Sequence, residues 1–418
     1  MAMDSATDDL RDLRITDADD EYDDGEEEEA QVYLGFLRKP KAPEELQRHR
    51  FPDKAGGAPA WLDPVNLPSG EACLCGFCGE PLRFAVQARA PLPPARAYHR
   101  ALIVLMCPSM ACLRLDQREQ QRAAEDGAGP RRRSVKVFRC QLPRDNAFYS
   151  SAHGDCSSGD ESVSDDDAPP RTTCTGVAAA PLCNWCATWR AETPCTRCGA
   201  ARFCSETHLE RHLRSCHGDG TVASSDDAPS SASGPDQAVL SAGAVWPEYV
   251  MYGKPEKRHD LDAQGSAGSP AAQELQSDDD DADDIDGVSA WMDAFEAGDD
   301  DDAARWASFQ ARFNTAGQGQ QVLRYCSDAT ARPLWAAASG CLAGGAAPPC
   351  AHCGAPRLYE LQLMPQLLHF LRVEARDPDP LDWATVVVYT CARSCDGGGG
   401  GEGGYKEEFA WVQLQPAT

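Results

Sequence analysis

Sixteen cysteine and histidine side chains fall at the spacings of metal ligands. Cys75-x-x-Cys78 is followed by Cys107 and Cys112, and Cys350-x-x-Cys353 by Cys391 and Cys395. Two thiolates two residues apart can reach one tetrahedral Zn²⁺ from a tight turn, and a second pair from a neighbouring strand completes the shell. Cys73 offers an alternative ligand to the first quartet, and Cys107–Cys112 is one residue wider than Cys391–Cys395. Between the quartets lies a denser finger: Cys183, Cys186, Cys195, Cys198, Cys204, His208, His212 and Cys216. Eight ligands suit two zincs. The short gap between the first two pairs suits interleaving, with Cys183, Cys186, Cys204 and His208 on one metal and Cys195, Cys198, His212 and Cys216 on the other. Cys195, Cys198, His208 and His212 would instead make a two-Cys two-His site, although the nine residues between its pairs are few. His208, His212 and Cys216, four residues apart, would lie near one helix face, which keeps the second partition open. Each shell would be closed, with no position left for catalysis, and would stabilise a small β unit by about 10 kcal/mol or more.

The remaining residues point away from an enzyme. Gly397–Gly401 lacks the Lys-Ser/Thr of a phosphate-cradling loop and reads as a flexible hairpin loop, and no Gly-x-Ser-x-Gly elbow occurs. The acidic N-terminal residues do not resemble a secretory signal. The longest fully apolar run, Ala101–Met106, is too short for a bilayer. We expect a cytoplasmic protein with a nuclear pool, where 20 cysteines argue for metal over disulfides. Cys156 and Cys174 read as free thiols, and Cys140, Cys326 and Cys341 as thiols or core.

The net charge of −27 is concentrated. Ten acidic residues lie between Asp17 and Glu29 and fourteen between Glu274 and Asp302, with no basic residue in either run. Such runs serve as solvated linkers or capture a basic client electrostatically. They repel nucleic acid, so no direct contact with it is expected.

Composition then divides the chain. Residues 1–30 read as a disordered acidic tail, 31–150 as an N-terminal β module and 151–180 as a linker. The finger spans 181–217, an acidic disordered linker 218–288, and a helix plus a C-terminal β module 289–418. Within the second linker, Val245–Tyr252 is apolar enough to dock as an extended segment. Four aspartates open a helix over Asp299–Phe313, whose Trp306, Phe309 and Phe313 share a packing face. The charged stretch Gln117–Arg133 reads as a loop. Both modules follow one order: a Pro-x-Trp (Trp61, Trp335), Cys-x-x-Cys, a turn with Gly and Pro, an alternating strand (Leu82–Ala88, Leu358–Met364), a second strand (Ala101–Met106, Thr385–Tyr389), two cysteines, and a last strand (Val135–Arg139, Phe409–Leu414). The expected fold is α+β and mostly antiparallel β, a duplicated zinc-braced module forming one composite domain with the finger looped out.

Several segments resemble one family. Val32-Tyr-Leu-Gly-Phe36, Phe51–Trp61, Tyr98-His-Arg100, Val137–Arg144 and Phe148-Tyr149 resemble the N-terminal half of the programmed cell death protein 2 family. Trp246-Pro-Glu-Tyr249, Val322–Tyr325, Pro333-Leu-Trp335, Met364–Leu368, Leu381-Asp-Trp383 and Glu407–Trp411 resemble its C-terminal domain. The finger is similar to a MYND-type finger, including a His at position 208, but with only three residues between His208 and His212. Long acidic and Ala/Gly-rich insertions set it apart from animal members and suit a plant member. The resemblance implies a non-enzymatic chaperone in ribosome biogenesis that captures a newly made, basic small-subunit ribosomal protein. The finger would bind other proteins. An adaptor in transcription or cell-death control is the alternative.

Overall fold

Alternating apolar residues build the strands, and the strands of both ends of the chain close on each other. The computed structural model describes residues 32–127, 129–151, 172–216, 244–256, 305–306, 308–309, 311–312, 319–342, 347–373, 378–396 and 404–415. The acidic tail, most of both linkers, Phe313 and Gly397–Gly401 lie outside them. The strands are β1 (Tyr33–Arg38), β2 (Lys54–Ala55), β3 (Arg83–Arg89), β4 (His99–Met106), β5 (Val135–Leu142), β6 (Tyr149–Ser151), β7 (Thr172–Cys174), β8 (Thr193–Pro194), β9 (Arg202–Phe203), β10 (Tyr249–Pro255), β11 (Leu323–Tyr325), β12 (Arg357–Leu363), β13 (Thr385–Cys391) and β14 (Tyr405–Gln413). Among the described residues, α-helices with both ends placed are α1 (Met110–Glu125), α2 (Glu206–Leu213) and α3 (Gln366–Leu371), and residues 305–306, 308–309 and 311–312, within the expected Asp299–Phe313 helix, are helical too. Strands β6–β7 and β8–β9 form small ribbons, and the rest close a barrel in the order β1-β10-β2-β3-β4-β5-β14-β13-β12-β11. The structure is thus mostly antiparallel β with few helices.

The two ends exchange strands. β1 opens the N-terminal block yet pairs with β11, while β10 precedes the C-terminal block yet pairs with β2. β1 and β10 also pair with each other, with Gly35 opposite Gly253. A Cβ on Gly35 would come within 2.8 Å of Met251 Sδ and 3.0 Å of Leu323 Cβ, so a side chain there would displace the Met251 thioether and crowd Leu323. Tyr249–Pro255, inside the span expected as linker, is therefore a barrel strand.

Period-2 alternation sorts the side chains. Leu102, Val104 and Met106 of β4 join Val135, Val137, Leu361, Leu363, Val386, Val388, Ala410 and Val412 in the barrel interior. Ile103, Leu105 and Phe138 point outward into a second cluster. Trp306 and Phe309 stack 5.5 Å apart and pack with Met364 and Ala384, as expected of a packing face. β3–β4 is bulged between Phe84 and Val86 and β12–β13 between Tyr359 and Leu361, each six residues past the second cysteine of its Cys-x-x-Cys pair.

One end of the interior is polar. The second bulge turns Glu360 inward beside Leu361. There Glu360 meets Arg100 of β4, whose Nη2 donates to Oε2 at 2.8 Å, and the two side chains are only 1% and 5% exposed. Arg139 of β5 donates to Glu408 of β14 at 2.7 Å, and Arg357 donates to the other oxygen at 3.1 Å. These buried pairs tie residues of the N-terminal block to residues of the C-terminal block.

Gln117–Glu125, read as loop, is the second half of α1. Its Gln, Arg, Ala and Glu residues are strong helix formers. Gln120 is fully buried, and its side chain accepts a bond from Val412 N at 3.0 Å. Asp116 accepts from Arg133 Nε at 2.8 Å and fixes the return to β5.

Removing one member of a buried pair leaves the other charge unpaired, so Arg100→Met is expected to destabilise the fold by about 3–5 kcal/mol. The double variant Arg100→Met/Glu360→Met should recover most of that loss. Urea midpoints of the three proteins check both expectations.

Candidate metal centres

The four Cys-x-x-Cys turns share one backbone geometry. The amide four residues after the first cysteine donates to that cysteine's carbonyl: Gly79 to Cys75 at 2.9 Å, Ala187 to Cys183 at 2.8 Å, Gly199 to Cys195 at 2.9 Å and Gly354 to Cys350 at 2.8 Å. Each first cysteine's own amide then donates forward across the turn, to Glu80, Trp189, Ala201 and Ala355 respectively. The donating residue must adopt a left-handed conformation, with φ of 74°, 49°, 68° and 72° in chain order. Glycine supplies it in three turns; Ala187 adopts it against its Cβ.

These turns bring together the four expected groups. Cys75, Cys78, Cys107 and Cys112 form one cluster and Cys350, Cys353, Cys391 and Cys395 another. In the finger, Cys183, Cys186, Cys204 and His208 gather at one point and Cys195, Cys198, His212 and Cys216 at a second, with all ligand atoms of a cluster within 4.8 Å of one another. The interleaved partition is the one the chain adopts. Its cause is local: α2 ends at Leu213, so Cys216 lies beyond the helix and turns back. His208 presents Nδ1 to Cys204 Sγ at 3.2 Å, whereas His212 presents Nε2 to Cys198 Sγ at 3.5 Å. Ser205 caps α2 through the His208 amide at 3.2 Å and so fixes where the first histidine starts.

The spacing of the ligand atoms fits a tetrahedral ion. A metal–sulfur bond of about 2.3 Å puts the sulfurs of a tetrahedron about 3.8 Å apart. Observed Sγ–Sγ distances are 3.6 Å for Cys78–Cys107, 3.9 Å for Cys186–Cys204, 4.0 Å for Cys195–Cys216, 3.7 Å for Cys350–Cys395 and 3.5 Å for Cys353–Cys391. All exceed a disulfide bond by well over an ångström.

The electrostatics fit as well. Backbone amides of Ala201 and Ala200 lower the Cys198 thiol to about 6, and that of Ala355 lowers Cys353 to about 7. The bond from Cys107 lowers Cys75 to about 5. Their neighbours move the other way: burial pushes Cys112 and Cys216 up to about 11 and Cys395 up to about 12. Within each cluster one thiolate suppresses the next, and a central cation removes that conflict.

Cys73 is not part of the first cluster. Its thiol donates to Pro68 O at 3.2 Å, and burial pushes it up to about 12. Cys112 closes the shell instead from the first turn of α1, which accounts for the extra residue in Cys107–Cys112. Cys140 and Cys326 are buried, Cys341 is partly so, Cys174 is exposed, and Cys156 lies outside the described residues.

The finger is docked rather than looped out. Trp189 is fully buried and donates its indole N–H to Leu82 O at 2.8 Å. Trp61 donates to Thr188 O at 2.7 Å, and the two indoles lie 5.7 Å apart. Arg211 of α2 pairs with Glu80 at 2.9 Å. Trp61 is thus buried in this contact, and Trp335 is half-buried. Sequence reading missed Trp189 because its apolar partners Phe84, Ile103 and Phe138 come from distant strands. It also missed the brace behind the C-terminal cluster, where Glu408 accepts the Cys391 amide at 3.2 Å and Arg139 donates to Cys395 O at 2.8 Å.

Ala187→Gly is expected to stabilise the finger by about 1 kcal/mol through relief of the left-handed strain. A higher chelator concentration for half-loss of metal checks it. About four metal ions per chain are expected, and Cys195→Ala should remove one while sparing the others. Plasma emission spectrometry of the purified protein counts them.

With this geometry established, comparisons place the chain among known proteins. Residues 31–155 match the family model described as Programmed cell death protein 2, N-terminal domain, and residues 303–414 match that for the C-terminal domain of the same protein. Programmed cell death protein 2 of Mus musculus is 30% identical over 400 residues, spanning 91% of this chain and 96% of the mouse protein. That of Bos taurus is 30% identical over 396 residues, 91% of this chain and 95% of the bovine protein. Programmed cell death protein 2-like of Gallus gallus is 37% identical over 76 residues, 18% of this chain and 19% of its own length. No solved structure matches the chain. The family models, their order along the chain and the length of the similarity agree: the chain belongs to the programmed cell death protein 2 family.

Proposed function

We propose that this protein is a non-enzymatic zinc scaffold that shields a newly made, basic small-subunit ribosomal protein until assembly. The charge distribution carries the reading: two acidic runs, one before the N-terminal block and one between β10 and β11 in sequence, account for 24 of the 27 net negative charges, and the rest of the chain is near neutral. A basic client that awaits RNA needs such a counter-charge. The metals, as Zn²⁺, act as staples, since each cluster offers four protein ligands and thus a full tetrahedral shell. Such shells leave a metal no open position for substrate.

The barrel is a duplicated module in this reading. The matching bulges after each Cys-x-x-Cys pair and the mutual exchange of β1 and β10 support an ancestral pair of equivalent halves. The finger is of the MYND type, supported by its interleaved ligand order, and takes other protein partners. The protein works in the cytoplasm with a nuclear pool; among the described residues no helix is long and apolar enough to cross a membrane. The second reading is an adaptor in cell-death or transcriptional control, and the words programmed cell death in its relatives' name bear on the first of these alone.

Affinity purification followed by mass spectrometry separates the two. One small-subunit ribosomal protein should be recovered at near-stoichiometric yield, with binding that weakens as salt rises. Recovery of transcription regulators alone, lost on Cys195→Ala, would support the adaptor and overturn the chaperone.

A further inference from the structure

We infer that the cleft between the finger and the barrel is a binding site for a carboxylate side chain presented by a peptide. This deepens the reading of the finger as a partner site and rests on it. The cleft encloses about 210 Å³, enough for one or two side chains and below the size of cofactor pockets. Its floor is apolar, built from Pro81, Leu82 and Pro108 of the barrel and closed on one side by Ala244. Two guanidinium groups, Arg83 and Arg211, line it together with one carboxylate, Glu80, so the lining has one more cationic than acidic side chain.

The two cations are unequally satisfied. Arg211 is paired with Glu80 across the finger–barrel contact at 2.9 Å. Arg83 has no hydrogen bond or ion pair among the described residues; its guanidinium lies 5.8 Å from the Trp246 ring centre. Burial disfavours its charge and lowers its pKa. A part-buried guanidinium with no hydrogen-bonded partner keeps its donors free, and a planar bidentate anion is the ligand that matches them. The apolar floor beside it favours an anion flanked by aliphatic groups, as on a peptide, over a free inorganic ion. Chain entropy favours the same outcome: the walls include Cys186 and His208 of one candidate metal cluster and Pro108 beside Cys107 of another, so metal bound there would order the site before the ligand arrives.

The test uses the full-length metal-loaded protein, ¹⁵N-labelled at arginine, titrated with acetyl-Leu-Glu-Leu-amide. The Arg83 side-chain Nε–H resonance should shift and saturate. The glutamine counterpart acetyl-Leu-Gln-Leu-amide should bind at least about tenfold more weakly. Arg83→Gln should weaken the glutamate peptide by about tenfold or more while leaving metal content unchanged. Glu80→Gln frees Arg211 and should tighten binding several-fold, the opposite sign. Equal binding of the two peptides, or inorganic phosphate reproducing the shift at the same concentration, would overturn the inference. So would loss of metal on Arg83→Gln, because Arg83 would then serve the neighbouring thiolates. None of these readouts depends on a ribosomal client, so the inference and the chaperone reading can fail separately.

Discussion

Closure of four-ligand shells by cysteine and histidine is the constraint on which the rest of the structure rests. Each shell begins with a turn of two residues between cysteines and ends with ligands from another element. A turn of that kind fixes the direction of the strand that leaves it. In the N-terminal block it aims β3 along β4, and in the C-terminal block it aims β12 along β13. The finger has little apolar interior of its own, and its two shells hold its short ribbon and α2 in place. Metal bound in such shells would add about 10 kcal/mol each to the stability of the small units they close.

The barrel adds a constraint that the shells cannot supply. β1 and β10 cross between the two ends, so neither end contains all the strands it pairs with. Arg100–Glu360 and Arg139–Glu408 span the same division in the interior. Buried ion pairs of this kind add little net stability but penalise any pairing that leaves one charge alone. They therefore select this closure over alternatives in which each end folds on itself. The docked finger extends the assembly, with Trp189 covering the outward face of β3, β4 and β5.

Local chemistry was legible in the sequence and long-range pairing was not. Cysteine spacing is read within a few residues, and all four ligand groups were recovered, including the interleaved pair. Alternation marked β3 and β12, and the segments placed after them marked β4, β5, β13 and β14, for the same reason. By contrast, β1 pairs with β10 across more than two hundred residues, which no local pattern records. Trp189 looked like one more residue in a finger, and its burial is decided by strands far away. The second half of α1 looked like loop because its charges mask a helix whose buried residues there are Gln120 and Ala123 rather than large apolar ones. The acidic runs are plain in the sequence, and their role is a matter of charge rather than fold.

The central claim is that the cysteines and histidines form closed, sulfur-rich zinc shells that staple the scaffold. Zinc K-edge X-ray absorption on the purified protein tests it most directly. Fourteen sulfurs and two imidazole nitrogens shared among four metals give an average shell of about 3.5 sulfurs and 0.5 nitrogen, with a zinc–sulfur distance of about 2.3 Å. That spectrum is the expected result. A shell dominated by nitrogen or oxygen, or one carrying a water ligand at most sites, would contradict the account.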